Sequence, residues 1–206
     1  MPRLVDLSHT IETGMPVYPG DEEPELVQTR YLAQHHHNNH RLQISMHVGT
    51  HLDAPLHMVA QRDYVSTLSL NAFVAPACVL DVRDQPIIHW SSAYEQTVQP
   101  GSIVLLHTGH DRWYGSERYF EGHPVVDPAF CEYLLQKQIK LLGIDLPSPD
   151  KLPFPVHKRL LANGTYILEN LTNLDQLLSW SSFEVIALPL KLRADGSPVR
   201  AIAREI

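Results

Sequence analysis

Short runs of aliphatic and β-branched residues recur along the chain, separated by proline, glycine and asparagine, a pattern typical of strands that pack into a core. Residues 77–82 and 103–107 are compact apolar runs of this kind and predict buried strands. By the same pattern, further strands are predicted over residues 3–11, 26–33, 42–48, 140–145, 166–169, 185–190 and 199–203. The last of these is expected to follow a turn at residues 195–198.

Helices are predicted mainly in the second half of the chain. Asp127 followed by Pro128 has the N-cap and first-turn residues that begin a helix, which we expect to reach about residue 137. A second helix is predicted over residues 156–163, closed by a glycine, and shorter ones over 90–98 and 174–178. Because strands outnumber helices and no repeat or linker interrupts the pattern, the sequence predicts one α/β domain with a mixed sheet over residues 1–206.

The segment from His47 to His57, HVGTHLDAPLH, concentrates three histidines and one aspartate in eleven residues. A glycine, a β-branched threonine and a proline within it disfavour a helix, so the histidines are not the i, i+4 pair of a helical zinc site. We expect the strand over residues 42–48 to turn into a tight loop here.

Alternate side chains of an extended segment share a face, so His51 and Asp53 are predicted to point the same way. Imidazole nitrogens and a carboxylate are ligands that suit Zn²⁺ or Mn²⁺. Four unrelated surface residues would be the weaker explanation, because the polar side chains alternate with apolar ones around Gly49 and Pro55. The segment therefore predicts a metal site.

Composition narrows the class of protein. The 206 residues are 44% hydrophobic and 19% charged, which is typical of a globular domain. A net charge of −7 disfavours nucleic acid and anionic membranes as partners, whereas thirteen histidines support the metal hypothesis.

The two cysteines, Cys78 and Cys131, do not make a disulfide framework. The N-terminal residues lack the basic start and apolar run of a signal peptide, and no apolar stretch has the length of a membrane span. From the sequence we therefore expect a cytoplasmic setting.

Further ligands have to come from other segments, and His157 and Glu169 are the candidates. His157 stands near the start of a predicted helix, and Glu169 ends an apolar predicted strand, where an unpaired carboxylate would be costly. From these residues alone, a surface histidine and a solvated carboxylate are equally open. The histidine-rich residues 35–40 are interpreted as a solvated connector.

Together these motifs resemble the cyclase family of metal-dependent hydrolases, whose best-known members are the bacterial kynurenine formamidases, or arylformamidases. The pattern HxGTHxDxPxH is matched at every fixed position from His47 to His57. The resemblance extends to VLLHTG at residues 104–109, GIDLPSPD at 143–150, His157 with ILENL at 167–171, and DGSPVR at 195–200. It covers nearly the whole chain.

The resemblance implies two metal ions per subunit, zinc or alternatively manganese, held by His47, His51, Asp53, His157 and Glu169. The first three would bind one ion, and the last two would bind the second, with the two carboxylates as bridges. It also implies a swivelling β/β/α-type fold and a homodimer or homotetramer.

Two further roles follow from the resemblance. His57 would be the catalytic acid or base rather than a ligand. Tyr18 occupies a loop where formamidases of the family tend to carry a tryptophan that packs on the aromatic substrate, so Tyr18 is the candidate substrate-binding residue.

The expected function is a metal-dependent amide hydrolase resembling arylformamidases, in which a metal-bound hydroxide attacks N-formyl-L-kynurenine or a related aryl formamide. A cyclic amide or a lactone is the alternative substrate. A non-catalytic metal-binding module and an oligomer subunit stabilised by a buried metal are further alternatives. Ser45 and Cys131 have no motif around them, which disfavours covalent catalysis.

Overall fold

The computed structural model describes residues 2–60 and 63–206. In these ranges the strands are β1 (Leu4–Asp6), β2 (Glu25–Arg30), β3 (Asn39–Gln43), β4 (His51–Asp53), β5 (Val74–Asp81), β6 (Ile87–Ile88), β7 (Ile103–His107), β8 (Val125–Val126), β9 (Leu141–Ile144), β10 (Tyr166–Glu169), β11 (Phe183–Ile186), β12 (Gly196–Pro198) and β13 (Ile202–Glu205). The α-helices are α1 (Leu32–His35), α2 (Glu117–Glu121), α3 (Pro128–Gln136) and α4 (Pro155–Ala162). Single 3₁₀ turns are formed by Pro55–His57, Val65–Thr67, Leu70–Ala72, Ser92–Tyr94, His110–Trp113 and Leu174–Leu177.

A nine-stranded mixed sheet is the centre of the fold within the described ranges, in the order β1-β13-β11-β5-β7-β9-β10-β4-β12. Its middle strands, β5, β7, β9 and β10, are parallel, and the flanking pairs are antiparallel. Every residue of β7 and β9 is buried, as expected for parallel strands that are covered on both faces. Two separate two-stranded ladders join β2 to β3 and β6 to β8.

Alternation along β7 divides the apolar side chains between two cores. Val104 and Leu106 face α3 and α4, whereas Ile103 and Leu105 face the opposite side of the sheet. Helix α3 begins as predicted, because the Asp127 carboxylate accepts the Ala129 N–H at 2.7 Å and proline occupies the first turn. None of the helices in the described ranges is long and apolar enough to cross a membrane.

Several predicted boundaries are wrong around the histidine-rich motif. The strand expected over residues 42–48 is β3, which ends at Gln43 and pairs with β2 in an exposed hairpin. Residues 44–50 turn instead, since Gly49 adopts a φ of 62°, and an extended strand does not pass through such a residue. The expected loop over 35–40 contains the end of α1 and the start of β3.

The C-terminal region also differs from the prediction. The turn expected at residues 195–198 is the edge strand β12, and the last strand is β13 rather than 199–203. The strand expected over 185–190 is β11, which ends at residue 186. The segment over 90–98 contains one 3₁₀ turn rather than a helix. These short elements are set by pairing with distant strands, which the local pattern does not reveal.

Candidate metal centre and active-site pocket

The candidate site lies where β10 ends and β4 passes beside it. The two strands are antiparallel, and their register places Glu169 opposite His51 and Ile167 opposite Asp53. His51 and Asp53 are two residues apart on one strand, so they share the face that was predicted for them. His157 lies in the first turn of α4, which follows β9, at the carboxyl edge of the parallel strands. In α/β sheets this edge is where ligands bind.

Two buried carboxylates divide their oxygens between two groups of histidines. Asp53 Oδ1 is 2.8 Å from His47 Nδ1 and 3.3 Å from His51 Nε2, and Asp53 Oδ2 is 3.5 Å from His157 Nε2. Glu169 Oε2 is 3.4 Å from His51 Nε2, and Glu169 Oε1 is 3.0 Å from His157 Nε2. Each carboxylate therefore has one oxygen toward His51 and the other toward His157.

The donor set fits a divalent metal. Asp53 is 1% exposed, and its Oδ2 makes no hydrogen bond within the described part of the chain. A buried carboxylate oxygen without a donor is costly, and a cation would compensate that cost. Among the described residues, metal-ligand atoms converge in two groups of three, His47 with Asp53 and His57, and His51 with Asp53 and Glu169.

His157 is oriented by Asp150. The Asp150 Oδ1 atom is 2.6 Å from His157 Nδ1, and its Oδ2 accepts the backbone N–H groups of Val156 and His157 at 2.6 and 3.1 Å. The carboxylate thus stabilises the free N–H groups at the start of α4 and holds the imidazole with Nε2 toward Glu169.

His51 is oriented by its backbone neighbours and by Asn170. His51 Nδ1 is 2.8 Å from the Gly49 carbonyl, which also accepts the Asn170 amide at 3.0 Å. The buried Tyr119 hydroxyl donates to Asn170 Oδ1 at 2.8 Å. These contacts turn His51 Nε2 toward the two carboxylates.

His57 stacks on His47, with ring centroids 3.9 Å apart. One oxygen of Asp195 contacts both rings, at 3.1 Å from His47 Nε2 and 3.4 Å from His57 Nδ1. Asp195 immediately precedes β12, so this edge strand, which pairs with β4, brings the carboxylate to the site.

The carboxylates give the cluster an affinity for positive charge. Burial disfavours protonation of His47, yet hydrogen bonds to Asp53 and Asp195 raise the pKa of His47 to about 9. Burial also opposes protonation of His157, but Asp150 and its other carboxylate neighbours raise the pKa of that imidazole well above its ordinary value. A divalent cation would replace these imidazole protons.

The pKa values of His57 and Glu169 are shifted toward the neutral form of each side chain, unlike those of His47 and His157. Burial lowers the pKa of His57, which keeps its imidazole neutral at neutral pH. Burial, followed by the charge of Asp53, raises the pKa of Glu169. Among the four histidines of the cluster, His57 is the one whose pKa is shifted toward the neutral imidazole.

A cavity of about 220 Å³ opens above these residues. Its apolar and aromatic lining residues are Pro16, Val17, Tyr18, Met58, Phe120 and Phe154. Tyr18 is 40% exposed and meets Phe120 edge-to-face, with ring centroids 5.9 Å apart. Aromatic and apolar lining of this kind suits a flat aromatic group that lies next to the polar residues of the cavity.

The structure brings the predicted residues together. Five of them line the cavity with Tyr18, namely His47, His51, His57, His157 and Glu169, and Asp53 lies in contact with three of those histidines. The histidines of residues 35–40 lie on the hairpin of β2 and β3, away from the cavity. Cys131 is in the core, where burial raises the pKa of its thiol to about 12 and so disfavours the thiolate form that a nucleophile needs.

Four residues at the site were not predicted from the sequence, namely Asp150, Asp195, Phe120 and Phe154. Asp150 and Asp195 each stand in a quoted family motif, and this was the only signal that could have drawn attention to them. Nothing in the local sequence distinguishes the two phenylalanines from ordinary core residues. Phe154 does have a left-handed backbone, with φ of 60°.

Comparison with known proteins places this geometry in a family. The family model described as a putative cyclase matches residues 5–151. The kynurenine formamidase of Geobacillus thermodenitrificans (strain NG80-2) is 36% identical over 208 residues, which cover 98% of this chain and 97% of the relative.

Solved structures agree with this placement. An isatin hydrolase bound to the product analogue thioisatinate has a TM-score of 0.89 and 25% identity, covering 98% of this chain and 92% of that one. A potential metal-dependent hydrolase with cyclase activity has a TM-score of 0.84 and 28% identity, covering 100% and 99%. These neighbours confirm the predicted α/β fold with a mixed sheet. With a family model that matches more than half of its length, this chain belongs to the cyclase family.

Proposed function

We propose that this protein is a metal-dependent hydrolase of non-peptide carbon–nitrogen bonds, of the arylformamidase type. The observation that carries the proposal is the pair of buried carboxylates, Asp53 and Glu169, each shared between His51 and His157 beside a cavity with aromatic lining residues. The likeness to a kynurenine formamidase along 98% of the chain supports it. The preferred substrate is N-formyl-L-kynurenine or a related aryl formamide.

Two ions would account for the arrangement of ligands. His47, His51 and Asp53 would hold one, and His157 and Glu169 would hold the other, with both carboxylates shared. Zinc is the first candidate because its sites combine imidazole and carboxylate ligands, and manganese is the alternative. When bound, such ions polarise a carbonyl oxygen and lower the pKa of water.

His57 would move the proton. Its neutral imidazole can accept a proton from the attacking water and deliver it to the departing aryl amine, so that formate and the amine are the products. Tyr18 and Phe120 would hold the aromatic ring, which places the formyl group over the carboxylates. No covalent enzyme intermediate is needed.

A cyclic aryl amide is the second candidate substrate. The similarity to an isatin hydrolase, with a TM-score of 0.89, favours it, because the same aromatic walls would accept a fused ring.

The two cysteines are free thiols, which fits the reducing cytoplasm. In keeping with the family resemblance, we further propose a homodimer or homotetramer, which sedimentation analysis would test.

The test is a panel of N-formyl-L-kynurenine, simple formanilides, isatin and a lactone, offered to protein stripped of metal and reloaded with Zn²⁺ or Mn²⁺. We expect formate release from the formamides, or ring opening of isatin or the lactone, only with reloaded protein, and the loss of both activity and bound metal in His51→Ala. In Glu169→Gln we expect one ion to be weakened or lost. His40→Ala, on the exposed strand β3, is the matched control and should behave like the wild type. Full activity of His51→Ala, or of metal-free protein, would refute the proposal.

A further inference from the structure

We propose that Asp195 is a positioning residue for His57, holding the Nδ1 hydrogen of that imidazole and leaving Nε2 for the substrate. The inference rests on the proposed function, in which His57 transfers the proton. It concerns a residue outside the metal ligands and the substrate-binding wall.

The position of Asp195 is determined by strand pairing. Strand β12 lies against β4 with Gly196 opposite Asp53, and the Asp195 carbonyl accepts the Ala54 N–H at 2.9 Å. The segment that contains the proposed ligands His51 and Asp53 therefore also fixes the backbone of Asp195 by hydrogen bonding. His57 follows closely in the 3₁₀ turn Pro55–His57, and its own N–H donates to the Ala54 carbonyl at 3.0 Å. The carboxylate and the imidazole are thus attached to neighbouring points of one rigid frame.

The side-chain contacts agree with this placement. Asp195 Oδ2 is 3.4 Å from His57 Nδ1 and 3.1 Å from His47 Nε2, so one oxygen lies between two stacked rings. Of the two rings, His47 also has Asp53 at 2.8 Å from its other nitrogen, whereas Asp195 is the carboxylate in contact with His57 among the described residues. A contact of 3.4 Å is long, as catalytic hydrogen bonds often are before substrate binds.

Gly196 gives an independent observation that the start of β12 is packed closely against the His47 imidazole. A Cβ atom there would lie 2.6 Å from His47 Cε1 and 3.0 Å from the Leu52 carbonyl oxygen. Its φ lies outside the left-handed region, so the glycine is required by close approach rather than by backbone conformation. The Asp195 carboxylate contacts both imidazoles, and the absence of a side chain at Gly196 allows the backbone beside it to approach His47.

Proton transfer by His57 needs a hydrogen-bond acceptor beside its Nδ1. A neutral imidazole has two tautomers, and the one that can accept a proton from the pocket must carry its hydrogen on the nitrogen facing away. A carboxylate beside Nδ1 selects that tautomer and fixes the orientation of the ring, as in hydrolytic triads. Other charged or titratable groups around His57 are His47, Asp53 and His157, and none of these three forms a hydrogen bond with its Nδ1.

The test compares Asp195→Ala, the near-isosteric Asp195→Asn and the wild type, all loaded with zinc. We expect kcat for the accepted formamide to fall about 10- to 100-fold in Asp195→Ala, the range typical of residues that orient a catalytic group, with KM and bound zinc unchanged. The Asn variant retains a carbonyl acceptor without the charge, and its kcat should lie between the other two. Asp175→Asn, an exposed carboxylate of the turn Leu174–Leu177, is the control.

A second readout does not depend on turnover. Long-range ¹H–¹⁵N spectra of histidine-labelled protein, with His57 assigned by its absence in His57→Gln, report which nitrogen carries the hydrogen. We expect the Nδ1–H tautomer in the wild type and a mixture in Asp195→Ala. An unchanged tautomer in that variant overturns the proposal, and so does a loss of zinc parallel to the loss of kcat, which would mean that Asp195 acts through His47. If the wild type hydrolyses no formamide, the proposed function fails, while the spectra still decide whether Asp195 orients His57.

Discussion

Asp53 is the side chain whose surroundings most restrict what the site can bind. It is almost fully buried, its Oδ1 has two imidazoles within 3.3 Å, and its Oδ2 makes no hydrogen bond within the described chain. Burying an ion in this way costs several kcal/mol unless opposite charge compensates it. Burial opposes ionisation of this carboxylate, but the imidazoles around it hold its pKa well below the ordinary value.

The proposed role of His57 can be tested separately from that of the proposed ligands. In His57→Ala we expect bound metal to be retained and kcat to fall about 10²-fold or more, since a lost general acid or base costs that much. Metal analysis and steady-state kinetics on the same preparation measure both quantities. Because His57 also belongs to one of the two groups of converging ligand atoms, loss of metal in proportion to activity would identify it as a ligand instead.

Tyr18 is expected to bind the ring of the substrate. Its loop is stiffened by Pro16 and Pro19, so its ring is presented at little cost in entropy. Tyr18→Ala should raise KM for an aryl formamide more than it lowers kcat, and Tyr18→Phe, the control, should keep KM if the ring alone matters. Tyr18→Trp should shift preference toward N-formyl-L-kynurenine. An unchanged KM for every substrate in Tyr18→Ala would mean that the ring only packs on Phe120.

At the scale of elements, the strands β4, β9 and β10 place the site, and β9 contains a glycine packed closely against neighbouring side chains. Gly143 in β9 lies beneath Leu105 and Leu171, and a Cβ atom there would collide with the Leu105 side chain and lie 2.9 Å from Leu171 Cδ1. β9 lies directly between β7 and β10. Any shift of β9 would therefore reach Glu169 through β10.

Gly143→Ala should lower the free energy of unfolding by about 1–3 kcal/mol, because an added methyl group overpacks a buried position. Urea denaturation followed by circular dichroism measures this change. Gly122→Ala is the matched control, since its Cβ would come no closer than 3.9 Å to a neighbouring atom. Equal stability of the two variants would contradict the packing argument.

For the whole molecule, the proposed ligands tie together parts of the chain that are far apart in sequence. They come from the segment before β4, from β4 itself, from the first turn of α4 and from the end of β10. A ligand that binds only the folded state stabilises it, by about 2.7 kcal/mol when its free concentration is one hundred times its dissociation constant.

Removal of metal should therefore lower the Tm, and the Tm should rise again with the concentration of added Zn²⁺. Differential scanning calorimetry before and after chelation measures this, with His51→Ala as the variant that should no longer respond. A Tm that does not change when metal analysis shows complete removal would exclude a role of the site in stability. It would leave the catalytic proposal to the kinetic test.

What the sequence determined by itself is local. The spacing in HVGTHLDAPLH places His51 and Asp53 on one face, because alternation is a property of any extended segment, and Asp127 with Pro128 begins α3 through contacts within one turn. The buried run of β7 was likewise readable from its apolar residues alone. In each case the decisive interaction lies within a few residues.

The tertiary structure decided the remainder. His157 and Glu169 had a solvated alternative until β10 paired with β4, and β12 was predicted as a turn because its residues form a strand only by pairing with β4. Asp195 reaches His47 across 148 positions of sequence, and no local pattern encodes such a contact. A short polar strand is stable because its neighbours bury it and satisfy its backbone, so its existence and its chemistry depend on residues that are distant along the chain.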